Sequence, residues 1–114
     1  MQISNDKGRT FLVRVVKRGE RYGLDDCLTH DEDDPLIEFY DLTHTAKFGP
    51  RGQFVSNYYA HTLAGSKGDR GLCLDGGNAD VWSINAEAMV PVLQLAREIA
   101  VCKPGSWDRC AKCS

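Results

Sequence analysis

The chain reads as an α+β domain: a mainly antiparallel sheet of four to five strands with two helices packed on one face, in the order of about β-β-β-α-β-β-α. Two strand-like runs, residues 10–17 and 36–42, alternate their side chains and are rich in β-branched and aromatic residues. Two later segments, residues 53–64 and 85–100, carry apolar residues at helical spacing. Strands and helices do not alternate regularly, so the pattern does not point to parallel βαβ units.

Residues 1–9 lack periodicity and read as a flexible lead-in. In the run TFLVRVVK, residues 10–17, Phe11, Val13 and Val15 share one face and Leu12, Arg14 and Val16 the other. Gly19 supplies any positive φ for a turn at residues 18–21, and residues 22–29 return as a second short strand through Tyr22, Leu24 and Leu28. A charged loop over residues 30–34 closes at Pro35. The next strand sets Leu36, Glu38, Tyr40 and Leu42 against Ile37, Phe39 and Asp41. Gly49, Pro50 and Gly52 punctuate the loop that follows.

Val55, Tyr58, Tyr59, Thr62 and Leu63 then predict an amphipathic helix over residues 53–64, stopped by Gly65. Residues 71–75 and 80–84 form a hairpin around Gly76-Gly77-Asn78-Ala79, with Trp82 on its core face. Asn85 caps a last helix that carries Glu87 in its first turn, and Pro91 either kinks that helix or marks a later start. The domain thus covers residues 10–101, and residues 102–114 make a cysteine-containing tail.

With 114 residues, 42% hydrophobic and 26% charged, the composition is that of one soluble domain with a modest core. A formal net charge of −2 argues against general nucleic-acid binding. No apolar run approaches the ~20 residues that span a bilayer, and the polar N-terminal segment lacks a signal-peptide core. A cytoplasmic protein without membrane contact is therefore expected. The sequence is compatible with a homo-oligomer. Cys27 and Cys73 read as small buried hydrophobes.

Charge is segregated along the chain. Eight of the 16 acidic residues (Asp25, Asp26, Asp31, Glu32, Asp33, Asp34, Glu38 and Asp41) fall within residues 25–41, a segment without Lys or Arg. Ahead of it lie Lys7, Arg9, Arg14, Lys17, Arg18 and Arg21. A dense block of like charge requires water, a cation or a basic partner to offset its self-repulsion. Strand alternation divides the block, leaving Asp25, Asp26, Asp31, Glu32, Asp33 and Asp34 to form one surface against a basic protein partner; the alternatives are a solvated loop and a loose Ca²⁺ or Mg²⁺ site. An EF-hand counted from Asp31 fails, because its glycine and closing-glutamate positions hold Leu36 and Leu42.

Cys102, Cys110 and Cys113 end the chain, and the closing C-x2-C is half of a zinc site. No cofactor is required by the sequence, and zinc is the one these thiols could hold, with His30, His44, His61 or a second chain as fourth ligand; a frayed tail with exposed thiols is the alternative. The histidines form no recognisable catalytic pattern and read as surface or loop residues. Gly65, Gly68 and Gly71 follow a helix and precede a strand, the reverse of a phosphate-binding loop. Trp107 in the tail is a candidate interface anchor.

Four stretches together resemble a family of small bacterial accessory proteins associated with mobile elements: residues 21–30 (RYGLDDCLTH), 38–41 (EFYD), 53–59 (QFVSNYY) and 71–77 (GLCLDGG). The resemblance covers residues 10–100 and implies a cytoplasmic accessory role, with no catalytic residues to carry over. Three functions are thus open. The first is a non-enzymatic protein-binding or regulatory module using the acidic surface. The second is a small zinc-binding protein. The third is a hydrolase-like enzyme with Asp25, Asp26 and His30 as acid/base groups, for which the sequence supplies no nucleophile.

Overall fold

A computed structural model of the chain describes residues 1–23, 26–63, 72–73 and 82–100. In chain order the strands are β1 (Gln2–Ser4), β2 (Thr10–Val16), β3 (Arg21–Tyr22), β4 (Leu28–Thr29), β5 (Leu36–Asp41), β6 (Gln53–Tyr59), β7 (Leu72–Cys73) and β8 (Ser83–Ile84). The helices are α1 (Thr45–Phe48), α2 (Ala60–Leu63) and α3 (Ala86–Ala100). Four strands build the main sheet in the order β1-β2-β5-β6, all neighbours antiparallel, while β3–β4 and β7–β8 are small separate hairpins. The α+β class and the mainly antiparallel sheet are as the sequence predicts.

One face of the sheet carries Ile3, Phe11, Val13, Ile37 and Phe39. Against it pack Ala60 and Leu63 from α2, Ile84 from β8, and Met89, Val92, Leu93, Ala96 and Ile99 from α3. These helix positions recur at three- and four-residue intervals, so one face of α3 lies on the sheet. Pro91 stays inside α3. It lies on the exposed face with Glu87, where solvent reaches the carbonyl that Pro91 leaves without a donor. The carbonyl of Asn85 accepts from the Met89 amide at 3.1 Å, but its side-chain Oδ1 is buried without a partner among the described residues, so the expected side-chain cap is not made through that oxygen.

The helix expected over residues 53–64 is instead strand β6 followed by the single turn of α2. A bulge explains the misreading. Phe39 faces Ser56 while Tyr40 faces Phe54, so Val55 is an extra residue in the ladder. The bulge lets Val55 and Tyr58 both pack on the core at a three-residue spacing, which imitates a helical stripe. Phe54, Val55, Tyr58 and Tyr59 are themselves strand-favouring side chains. Residues 1–9, expected to be loose, include edge strand β1, and the side chain of Asn5 closes the turn after it by accepting from the Lys7 and Arg9 amides at 3.0 and 2.9 Å. Its amide donates to the Ser83 carbonyl at 2.7 Å, joining this turn to β8.

The second-strand segment becomes the two short strands of the β3–β4 hairpin, and Gly19 takes φ +88° in the turn before it. Leu72 pairs with Ile84 and Cys73 with Ser83 where the later hairpin was expected. Its turn at residues 76–79, Gly65, Gly68, Gly71 and the tail with Trp107 lie outside the described residues.

Gly52 closes a turn begun at Gly49, with its amide donating to the Gly49 carbonyl at 2.9 Å and φ at +79°. A Cβ there would run into the main-chain carbonyl of Asp41. Gly52→Ala is expected to destabilise the fold by about 2 kcal/mol, from left-handed strain plus the clash. Urea unfolding checks this; an unchanged midpoint would show that the turn is not pinned to β5.

Candidate functional site

β5 is covered on both faces, by the helices on one side and by the β3–β4 hairpin on the other, and all six of its residues are buried. Two of them, Glu38 and Asp41, are acids. A buried carboxylate is tolerated only when charges and donors surround it, and each has acquired its own network.

Glu38 lies on the hairpin side, directly opposite Arg14 in the β2–β5 register. Arg14 donates to Glu38 Oε1 through Nε at 3.0 Å and through Nη2 at 2.7 Å. The Tyr40 hydroxyl donates to the same oxygen at 3.0 Å, and the Gly23 amide donates to Oε2 at 2.9 Å. Burial, then the neighbouring Glu38 carboxylate, push the Tyr40 phenol up to about 12. Arg14 also donates to the Arg21 carbonyl at 3.1 Å, so polar contacts through Arg21 and Gly23 dock the hairpin on the sheet. Outside this centre, the Asp26 Oδ1 atom accepts from Arg51 Nη1 at 2.9 Å and approaches Arg14 Nη2 at 3.5 Å.

Asp41 points to the helix side. It accepts from the Thr43 amide at 2.9 Å, the Thr43 hydroxyl at 2.6 Å and Trp82 Nε1 at 2.8 Å, with Arg9 at 3.4 Å. It thereby caps the 3₁₀ turn after β5 and ties Trp82, just before β8, to the sheet.

The loop from β4 to β5 carries Asp31, Glu32, Asp33 and Asp34. Its shape is set by side chains that the sequence leaves unconnected. His30 is buried, 3% exposed, rather than a surface residue; its Nε2 lies 2.7 Å from the Asp34 carbonyl and its ring meets Tyr22 and Tyr59. Arg18 pairs with Asp33 at 2.8 Å. Tyr59 donates to the Glu32 carboxylate, and that bond is the leading reason its phenol is pushed up to about 12. The Asp34 carboxyl is raised by burial, opposed by His61 through its ring and its main-chain amide and by His30. Asp31 and Glu32 remain exposed at the tip.

Of the six acids expected on one surface, Asp31, Glu32, Asp33 and Asp34 share this loop, and Asp26 is engaged by Arg51 and Arg14. Asp25 lies outside the described residues, as do Cys102, Cys110 and Cys113. Of the three acid/base candidates, His30 and Asp26 are engaged by different partners, and Asp25 lies outside the described residues. Cys27 is exposed, not a buried hydrophobe, because it sits in the hairpin covering the sheet. Among the described residues no three His, Cys, Asp or Glu side chains group to hold a metal, and no helix is long and apolar enough to cross a membrane. Sequence reasoning missed the Arg14–Glu38–Tyr40 cluster; its signal was an Arg and a Glu on strands that alternate into matching faces. No protein family, curated protein or solved structure matches the chain.

Burial pushes the Asp41 carboxyl up, but the donors from Thr43 and Trp82 and the charge of Arg9 outweigh it and hold the group below its ordinary range. A lowered folded value gives stability that is present above the unfolded value of about 3.9 and is lost as pH falls through the folded one. Asp41→Asn should therefore flatten the acid limb of the stability profile below about pH 4. Urea midpoints across that range test it; wild-type and variant profiles of identical slope would contradict it.

Proposed function

We propose that this chain is a non-enzymatic protein-binding or regulatory module that meets a basic protein surface through its acidic β4–β5 loop. The observation that carries the reading is the loop's combination of order and exposure. His30, Arg18, Tyr59 and the His61 amide fix its backbone and side chains, yet Asp31 and Glu32 face solvent. A preformed acidic loop loses little conformational freedom on binding, and its field steers a basic partner toward it. Asp26 is withdrawn from this surface by its two arginines. The contact set therefore centres on the exposed Asp31 and Glu32, flanked in the same loop by the half-buried Asp33 and Asp34. A cytoplasmic bacterial accessory role, as the sequence resemblance implies, belongs to the same proposal. Zinc binding rests on Cys102, Cys110 and Cys113 alone.

Capture of partners from the native host, followed by affinity measurement across ionic strength, tests this function. Binding should weaken steeply with salt, and combined Asp31→Asn, Asp33→Asn and Asp34→Asn should weaken it by about tenfold or more. A partner whose affinity ignores both changes would overturn the reading.

A further inference from the structure

We propose that Arg14 and Arg51, converging on the Tyr40 ring, form a receptor for a phosphate group, and that the chain's own Asp26 carboxylate occupies it in this structure. The guanidinium carbons of Arg14 and Arg51 lie 5.7 and 5.4 Å from the centroid of the Tyr40 ring. Arg51 Nη1 donates to Asp26 Oδ1 at 2.9 Å, and Arg14 Nη2, already donating to Glu38 and to the Arg21 carbonyl, lies 3.5 Å from the same oxygen. Two cations meeting at one oxyanion over an aromatic ring are the elements of phosphate recognition.

Arg14 is positioned independently of Asp26, whereas the Arg51 guanidinium rests on the Tyr40 ring and on Asp26 itself. Arg14 is fixed from below by buried Glu38. Arg51 is carried by the turn that closes at Gly52 against the Asp41 main chain. Arg14 and the backbone of Arg51 therefore stay in place when Asp26 leaves, and the Arg51 guanidinium keeps its Tyr40 contact. Arg51, with 32% of its side chain exposed, donates to Asp26 through Nη1, so its remaining N–H groups are available to a larger anion.

Asp26 itself sits at the boundary with solvent, 45% of its side chain exposed, and its backbone is left-handed at φ +51°. That conformation is routine only for Gly, Asn and Asp. Arg21 donates to the Asp26 carbonyl at 2.8 Å and adds a third cation at the rim. With Asp26 displaced, these three arginines face the buried Glu38 alone among the described residues, an excess of two positive charges within that set. A dianion matches that excess better than a carboxylate does. The inference is independent of the acidic-loop reading, since it uses none of Asp31, Glu32, Asp33 or Asp34.

Asp26→Asn separates charge from shape, because Asn also accepts the left-handed conformation. Titration of the full chain with inorganic phosphate, followed by NMR of the arginine Nε–Hε resonances, is the test. Phosphate should bind D26N at least tenfold more tightly than wild type, and adding Arg51→Gln should abolish the saturable shift. Acetate should bind D26N at least tenfold more weakly than phosphate. In the wild-type background, saturating phosphate should raise the thermal midpoint, and Arg51→Gln should remove that rise. No saturable shift in D26N, an affinity unchanged by Arg51→Gln, or equal binding of acetate would overturn the proposal.

Discussion

The buried carboxylate of Glu38 is the constraint on which the arrangement of layers depends. It lies on a strand covered from both sides, 0% exposed, and its partners come from three places: Arg14 on β2, Tyr40 two residues along β5, and the Gly23 amide beside β3. Leaving such a charge unpaired costs several kcal/mol, so any alternative packing must find equivalent donors. A one-residue slip of β5 would turn Glu38 into the apolar face under α3 and lose all three sets of contacts. The same carboxylate thus selects the β2–β5 register and seats the β3–β4 hairpin. Its contribution is best seen as specification of one structure, since a buried ion pair need not stabilise more than an apolar pair of similar size.

The charge segregation of the sequence acquires a different meaning in space. Antiparallel pairing of β2 with β5 folds the basic stretch back along the acidic one. Arg14 meets Glu38, Arg9 approaches Asp41, and Arg18 reaches Asp33 beyond the strand ends. What looks like a polar chain becomes a set of locally compensated pairs. These pairs differ in weight. Arg18–Asp33 is largely exposed and screened by solvent, whereas Glu38 and Asp41 are enclosed by donors. Among the described acids of the block, Asp31 and Glu32 stay exposed, at the tip of the β4–β5 loop.

Local alternation was enough to read β2 and β5, because both keep a period of two without interruption. It also placed Asp41 on the face opposite Glu38, where the structure has it. β6 was not legible, since its bulge breaks the period and sets Val55 and Tyr58 on the core at a helical interval. The burial of His30 and the arginine partners of Asp26 were hidden for another reason. Their environments come from residues distant along the chain: Arg51 is 25 positions from Asp26, and Tyr59 supplies one wall of the His30 site. The covering role of the β3–β4 hairpin was equally hidden, because its docking groups are main-chain atoms of Arg21 and Gly23. Periodicity carries no record of such contacts.

The claim that Arg14 and Glu38 act as one unit is tested most directly by a double-mutant cycle on folding stability, with Arg14→Met, Glu38→Leu and the two combined. Each single change should cost about 3–5 kcal/mol by stranding a charge, and the pair should be less destabilised than the sum by about 2 kcal/mol or more. Effects that add to within about 0.5 kcal/mol would show that the two side chains are energetically independent and would contradict the account.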